Sequence, residues 1–334
     1  MAVRDEGEIC NCRVNVRGNP HQLGAEAPRG FLSVIGGGTS PGTNESGRRE
    51  LAAWIVDPAN PLPARVFVNR VWMHLFGEGL VRSVDNFGLQ GERPTHPELL
   101  DALAAEFLAD GGSLKRLVRR LTLTAAYAQS AGGDPARLKA DPENRLLGRM
   151  NRRRLEAEAL RDAMLAVSRR LDPSPGGSAV TSLGEAAIDN DSKGGTNVDR
   201  SLRRSIYLPV LRNELPPLFE TFDFADPDVS TGKRDVTTVP TQALYLLNSP
   251  FVREQARLAA EDLLRSPGDD AGRVKELYRR CFSRAPSEQE LAAALSFLGA
   301  QPERKLGAKA PDRTRTWTAL VQAAFGATEF RLLD

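Results

Sequence analysis

The stretch that decides the fold runs from Arg48 to Ser130 and reads RRELAAWIVDPANPLPARVFVNRVWMHLFGEGLVRSVDNFGLQGERPTHPELLDALAAEFLADGGSLKRLVRRLTLTAAYAQS. Its apolar residues recur at intervals of three and four, which is the spacing of one face of an α-helix. Proline, glycine, aspartate and asparagine break that pattern at regular points. The stretch therefore predicts four short helices that pack through their apolar faces.

The ends of these helices are also predicted. The first helix ends at Asp57, because the residue before Pro58 is disfavoured in the helical region. The second begins at Pro63 and ends at Gly77. A capping box of the form T-x-x-E at Thr95 predicts the start of the third helix, and Ser113 is expected to cap the fourth.

Helical periodicity continues through the rest of the chain. We expect a helical region that opens at Asp141-Pro142 and continues to about Leu171, a short helix over residues 241–248, and a longer one after Ser249-Pro250. Two further helices are predicted, one that ends near Cys281 and one that starts at the capping box of Ser287. The last helix presents an apolar face at these positions: Trp317, Leu320, Val321, Ala324 and Phe325.

Strand-like sequence is limited to CRVNVRG (12–18) and SIYLPVLR (205–212), and these two segments are expected to pair. The predicted fold class is mainly α, a multi-helix bundle-like domain with a minor β element and long irregular loops. Residues 1–47 are interpreted as an extended segment followed by a Gly/Ser-rich linker. Residues 48–334 are interpreted as the helical domain, with an insertion loop at about 173–200 that is rich in proline, glycine and serine.

Charge and composition exclude several classes of protein. The 45 basic residues are nearly balanced by 43 acidic ones, so the net charge of +2 argues against nucleic acid as a partner. Most of the basic residues are arginines interleaved with acids, which favours ion-pair networks. No apolar run is long enough for a membrane span, and the first residues lack the apolar core of a signal peptide.

The sequence predicts no metal site and no cofactor. Its three histidines, His21, His74 and His96, do not occur at the spacing of a zinc site, and Cys10 and Cys12 form a C-x-C pair without a nearby histidine. The phosphate-binding and nucleophile motifs are absent as well.

Several long motifs resemble one family. The segments DPANPLPARVFVNRVWMHLFGEGLVRSVDNFGLQGERPTHPELLD, NRLLGRMNRRRLEAEALRDAML, RRSIYLPV and KRDVTTVPTQALYLLNSPFVREQA resemble the C-terminal domain of unknown function DUF1553 of planctomycete and verrucomicrobial PSD1-type proteins. The resemblance covers residues 48–333. It implies an exported, cell-envelope protein in which a cytochrome c-like domain and a DUF1549-type domain come first. This chain lacks a C-x-x-C-H motif and those domains, and without a signal peptide it is cytoplasmic if it is complete.

The polar residues of these motifs lie in separated segments, and we expect the fold to gather them in one buried network. The candidate catalytic residues are Glu156, Glu158, Asp235, His74 and His96. The candidate binding residues are Arg65, Asn69, Arg70, Asn86, Gln90, Asn151, Arg152, Arg153, Arg161, Arg234 and Gln242.

Three functions are compatible with these residues. The first is a non-catalytic accessory or interaction module that binds a protein partner or an upstream domain. The second is a hydrolase on a polysaccharide-type substrate, because paired carboxylates carry out glycoside cleavage. The third is binding of an anion or nucleic acid by the arginine clusters.

Overall fold

A computed structural model of the chain describes residues 9–35, 45–176, 201–210, 215–300 and 313–333. Thirteen α-helices and two small sheets are found in these ranges. The fold class is therefore mainly α with a minor β element, as predicted. The Gly/Ser-rich linker and the insertion loop fall mostly outside the described residues.

The helices and strands occur in the following order. The first half of the chain contains β1 (Cys12–Asn15), β2 (Leu23–Ala27), α1 (Arg48–Val56), α2 (Leu62–Phe76), α3 (Pro97–Ala109), α4 (Leu114–Thr122) and α5 (Pro135–Ala140). The second half contains β3 (Arg153–Arg154), α6 (Ala157–Val167), α7 (Pro217–Thr221), α8 (Pro240–Asn248), α9 (Pro250–Arg265), α10 (Asp270–Phe282), α11 (Glu288–Gly299), α12 (Arg313–Gly326), α13 (Thr328–Arg331) and β4 (Leu332–Leu333).

The chain divides into two compact units, Met1–Asn151 and Arg152–Asp334, and each has its own apolar core. In the first unit, α2 packs on α3 and α4, with Val68 and Trp72 of α2 buried. In the second unit, α9 packs along α12, where Trp317 is fully buried. The predicted domain boundary at residue 47 stays a prediction.

Most of the predicted helix ends are found. The helix α1 stops at Asp57, α2 ends at Gly77 with the left-handed φ of 88° that favours glycine, and Ser113 caps α4 by accepting a hydrogen bond from the Arg116 amide. The helix α1 nevertheless buries none of its residues. Its Trp54 stacks on Phe31, with the ring centroids 5.5 Å apart.

The capping box predicted at Thr95 is wrong. The helix α3 begins at Pro97, and the Thr95 hydroxyl donates to the carbonyl of Leu80 instead, at 3.4 Å. The backbone amide of Thr95 bonds the same carbonyl at 2.9 Å. The Thr95 side chain therefore makes a tertiary contact and does not cap α3.

The helix predicted from Asp141 onwards is also wrong over residues 141–156, and α6 begins only at Ala157. Asp141 accepts hydrogen bonds from the amides of Arg145 and Leu146, which closes a local turn. Asn144 and Leu147 adopt left-handed backbone angles, with φ near 53° and 56°. These conformations are incompatible with a continuous helix.

The predicted strand pairing is wrong as well. β1 pairs antiparallel with its neighbour β2, with Cys12 opposite Ala27 and Arg13 opposite Glu26. Residues Ser205–Tyr207 form a 3-10 turn rather than a strand. A local hairpin was available to β1, and closing a short loop costs less conformational entropy than a pairing across the chain.

Two features in the second unit agree with the sequence. Ser287 and Glu290 form the complete capping box of α11, and Ser249 precedes α9 with Pro250 in the first turn, although the Ser249 side chain makes no cap. Within the described ranges, no helix has the length and apolar character that a membrane crossing needs.

The capping box of α11 gives a first prediction. Ser287→Ala removes the hydroxyl that accepts from the Glu290 amide, and loss of such a cap costs about 1 kcal/mol. Native-state hydrogen exchange should show faster exchange in the first turn of α11. Ser296→Ala, at an exposed position inside the same helix, is the matched control and should leave that exchange unchanged or slower. Equal effects of the two changes would contradict the assignment.

Candidate functional site

The second unit brings together two of the motif segments, residues 152–161 and 233–242. The first segment contains β3 and the start of α6, and the second leads into α8. The turn after α7 lies between them, with Asp223 in a left-handed conformation at a φ of 57°. Polar side chains from these three places meet, and we call them the Arg154 cluster: Arg154, Asp223, Thr237 and Gln242.

Arg154 is the centre of this cluster. Its guanidinium donates to the Asp223 carboxylate at 2.6 Å and to the carbonyl oxygens of Thr237 at 2.6 Å and Phe222 at 3.2 Å. The side chain is only 9% exposed, and that of Asp223 is 16% exposed. One buried cation thus ties together β3, the turn after α7 and the segment before α8.

Asp223 and Gln242 complete the cluster. The carboxylate of Asp223 accepts hydrogen bonds from the amide of Thr237 at 2.9 Å and from its hydroxyl at 2.8 Å. The buried side-chain amide of Gln242 donates to the carbonyl of Thr221 at 3.1 Å and to that of Thr237 at 3.2 Å. Three of these four bonds involve backbone atoms and so hold the chain in place between α7 and α8.

A second ion pair lies in the same unit. Arg234 binds Glu158 through two parallel hydrogen bonds of 2.7 and 2.9 Å, and Glu156 lies 3.3 Å from the same guanidinium. The guanidinium also stands over the ring of Phe224, 4.6 Å from its centroid. Both glutamates therefore share one arginine.

The electrostatics of the site favour charged, paired side chains. Burial acts to raise the pKa of Asp223, but hydrogen bonds from Thr237 and Arg154 outweigh it, and the pKa of that carboxyl is lowered. The hydrogen bonds to Glu158 raise the pKa of Arg234. A carboxylate with a lowered pKa stays ionised at neutral pH, which suits a structural ion pair better than a proton donor.

Arg161 is buried on α6 and holds a different segment. Its guanidinium donates to the carbonyls of Ser201 and Arg203 and to the hydroxyl of Ser205, and it lies 5.5 Å from the ring of Phe251. The neighbouring Asp162 accepts from the amide and the hydroxyl of Ser205. Together they fix the backbone that follows the insertion loop.

The first unit contains most of the remaining candidate residues, and they make separate contacts. Arg65 pairs with Asp101 at 2.6 Å, and Arg70 lies 3.4 Å from Asp85. Asn86 accepts from the Gly88 amide within its own turn, and Gln90 is exposed.

Asn69 is fully buried in the first unit, and its side chain pairs with the backbone of the loop at Val81 as a neighbouring strand would. Its side-chain amide donates to the carbonyl of Val81 at 2.9 Å, and its oxygen accepts from the amide of the same residue at 2.8 Å. Asn151 donates to the carbonyl of Phe76 at 2.9 Å and accepts from Asn144. These asparagines act as backbone substitutes at places where the chain leaves regular structure.

The candidate catalytic residues are divided between the units. His74 lies on the exposed side of α2, and the Nδ1 atom of His96 lies 3.1 Å from the Thr95 hydroxyl, both in the first unit. Glu156 and Glu158 meet on Arg234 in the second unit, where Asp235 is exposed. Arg152 is exposed and Arg153 half-buried. Gathering of all the motif residues in one network stays a prediction.

Sequence reasoning missed Arg154 and Asp223 as site residues. Strand alternation places Arg154 and Arg152 on the opposite side from Arg153, but it does not say which side faces the interior. In the sequence, Asp223 is one of several aspartates in a loop, and no local feature distinguishes it from the others. Only the contact between Arg154 and Asp223 marks them as site residues, and that contact is visible only in the tertiary structure.

In the described ranges, no three histidine, cysteine, aspartate or glutamate side chains converge as metal ligands. A cavity of about 550 Å³ lies in the second unit against α6, the end of α10 and α13, with Leu155, Val167, Cys281 and Phe330 in its wall. Burial raises the pKa of the Cys281 thiol to about 12, so that it is neutral and unreactive.

The Arg154 cluster gives a second prediction. Arg154→Ala leaves the Asp223 carboxylate and the Thr237 carbonyl without their donor, and such a loss costs about 2–3 kcal/mol. We expect a lower urea midpoint for the second unit. Arg265→Ala, whose side chain is 76% exposed in a helical ion pair, is the control and should change stability by less than about 0.5 kcal/mol.

The lowered pKa of Asp223 gives a third prediction. Its contribution to stability is fully present above its unfolded-state pKa of about 4 and is lost as the pH falls through the lower folded-state pKa. Acid unfolding of Asp223→Asn should therefore depend less steeply on pH below about 4 than that of the wild type. A double variant with Arg154→Ala should add little further change, and an equal slope in all three proteins would contradict the pairing.

Comparison with known proteins places the chain in a family. No curated protein and no solved structure matches it. The family model described as "PSD1: Protein of unknown function (DUF1553)" matches residues 47–298. That match spans α1 to α11 and includes the whole Arg154 cluster. The chain belongs to the PSD1 (DUF1553) family.

Proposed function

We propose that this domain is a non-catalytic interaction module, in which the Arg154 cluster holds the segment before α8 and α8 presents an apolar face to a protein partner. The observation that carries the proposal is the exposure of Leu244 and Leu247, which are 55% and 62% accessible. Pro240, Leu244 and Leu247 occur at positions i, i+4 and i+7 and share one face of α8. Val236, just before the helix, is 66% exposed.

The cluster explains how such a face is maintained. Arg154 and Asp223 bind Thr237, and Gln242 donates to the carbonyls of Thr221 and Thr237, so that the start of α8 is fixed by several hydrogen bonds. At its other end, Gln322 of α12 donates to the carbonyls of Leu246 and Leu247 at 3.0 and 2.8 Å. A rigid helix loses little conformational entropy when a partner binds, which favours recognition.

The acids and arginines support binding over catalysis. Glu156 and Glu158 are both held by Arg234, and several other arginines of the second unit are paired with acids, as Arg280 is with Asp262 and Glu276. Ion pairs of this kind leave less charge for a substrate or a phosphate backbone. The resemblance to PSD1-type proteins suggests the partner and the location. We infer that the partner is another protein or an upstream domain, and that binding takes place in the cell envelope.

Site-specific cross-linking tests this proposal. A photoreactive residue at position 244 should cross-link to a discrete protein in cells that express the full chain, whereas the same group at Lys275, exposed on α10, should not. Leu247→Glu should weaken that cross-link at least about 30-fold, because burial of one leucine contributes about 2 kcal/mol. Circular dichroism should show unchanged helix content.

An enzyme assay tests the alternative hypothesis that the chain is a hydrolase. The purified chain should not turn over chromogenic glycosides above the blank. Turnover that is abolished by Glu158→Gln and retained in Leu244→Glu would overturn the proposal.

A further inference from the structure

The hairpin of β1 and β2 has one polar and one apolar face. Arg13 stands opposite Glu26 on the polar face, and Asn11 donates to the same Glu26 at 2.7 Å. Alternation from these positions puts Cys10 and Cys12 on the other face, with Ala27 and Leu23 of β2. Among the described residues, Cys10 and Cys12 are exposed free thiols, and Leu23 is 53% accessible.

An isolated two-stranded hairpin is marginally stable in water, and its apolar face requires cover. The strand β1 buries none of its residues, and neither does β2. The side chain opposite Cys12 is the small methyl group of Ala27, which leaves room above the thiol. The same face of the hairpin therefore presents two thiols and an adjoining apolar strip to a binding partner.

Two cysteines at C-x-C spacing supply half of a zinc site. Alternate residues of a strand are about 7 Å apart at their Cα atoms, and thiolates bind Zn²⁺ at about 2.3 Å, so that side chains leaning towards each other can share one ion. Structural zinc takes four ligands in a tetrahedron, and among the described residues no group of three potential ligands is found. Among the described residues, the C-x-C pair is thus two ligands short.

We propose that Cys10 and Cys12 of two copies of this chain hold one Zn²⁺ between them, with the apolar hairpin faces packed around it. The second copy supplies the two missing thiolates and covers Leu23, which is 53% exposed. Binding replaces the thiol protons with the metal, and they are released to solvent as two Cys₂ pairs become one Cys₄ site. This inference is independent of the face proposed on α8.

The test uses the full chain, reduced and stripped of metal, and adds Zn²⁺ alone. Sedimentation should show the molecular mass doubling as zinc is added, with saturation at one ion for two chains. Replacement of zinc by Co²⁺ should give the intense thiolate-to-metal absorption of a tetrahedral sulfur site. Cys10→Ser and Cys12→Ser should each abolish the zinc-dependent doubling, whereas Cys281→Ser, at a half-buried position in the second unit, should retain it.

A further variant distinguishes the contribution of the metal to dimerisation from that of the apolar contact. Leu23→Lys leaves all four thiolates in place and should require at least about tenfold more protein for zinc-dependent dimerisation. Binding of one zinc per chain without a change in mass would overturn the proposal. So would zinc-dependent dimerisation that persists in the variant with serine at both positions 10 and 12.

Discussion

The buried guanidinium of Arg154 is the constraint on which the polar architecture of the second unit depends. A cation that is 9% exposed needs a counter-charge and acceptors for its remaining donors, because an unpaired buried charge is costly. Asp223 provides the charge, and the carbonyls of Thr237 and Phe222 provide the acceptors. Three segments far apart in the chain are thereby held at one point.

The same kind of contact recurs at several places where the described part of the chain leaves regular structure. Asn69 satisfies both backbone groups of Val81, Arg161 binds the carbonyls of residues 201 and 203, and Gln242 bridges two turns. Each buried polar side chain replaces hydrogen bonds that helices or strands would otherwise supply. These polar motif residues therefore have a structural role in this chain, which is to hold irregular backbone in place.

How far the sequence predicts this structure depends on the range of the interaction that decides each element. Local signals located α1, α2, α4 and the capping box of α11, because periodicity and caps act within a few residues. They failed at Thr95, which bonds Leu80 instead of capping, and at Asp141, whose side chain closes a turn. Arg234, Glu158 and Gln242 were recognised as polar motif residues, but their partners were not.

The sequence by itself determined that this protein is a mainly helical member of the PSD1 family, since apolar spacing, turn residues and long motifs are properties of contiguous chain. Only the tertiary structure decided that Arg154 and Asp223 meet, that Glu156 and Glu158 share Arg234, and that α8 leaves Leu244 and Leu247 exposed. The reason is that burial and pairing are set by residues distant in sequence. A spacing rule specifies the face of a helix, but which neighbour covers that face is fixed by the packing of the whole unit.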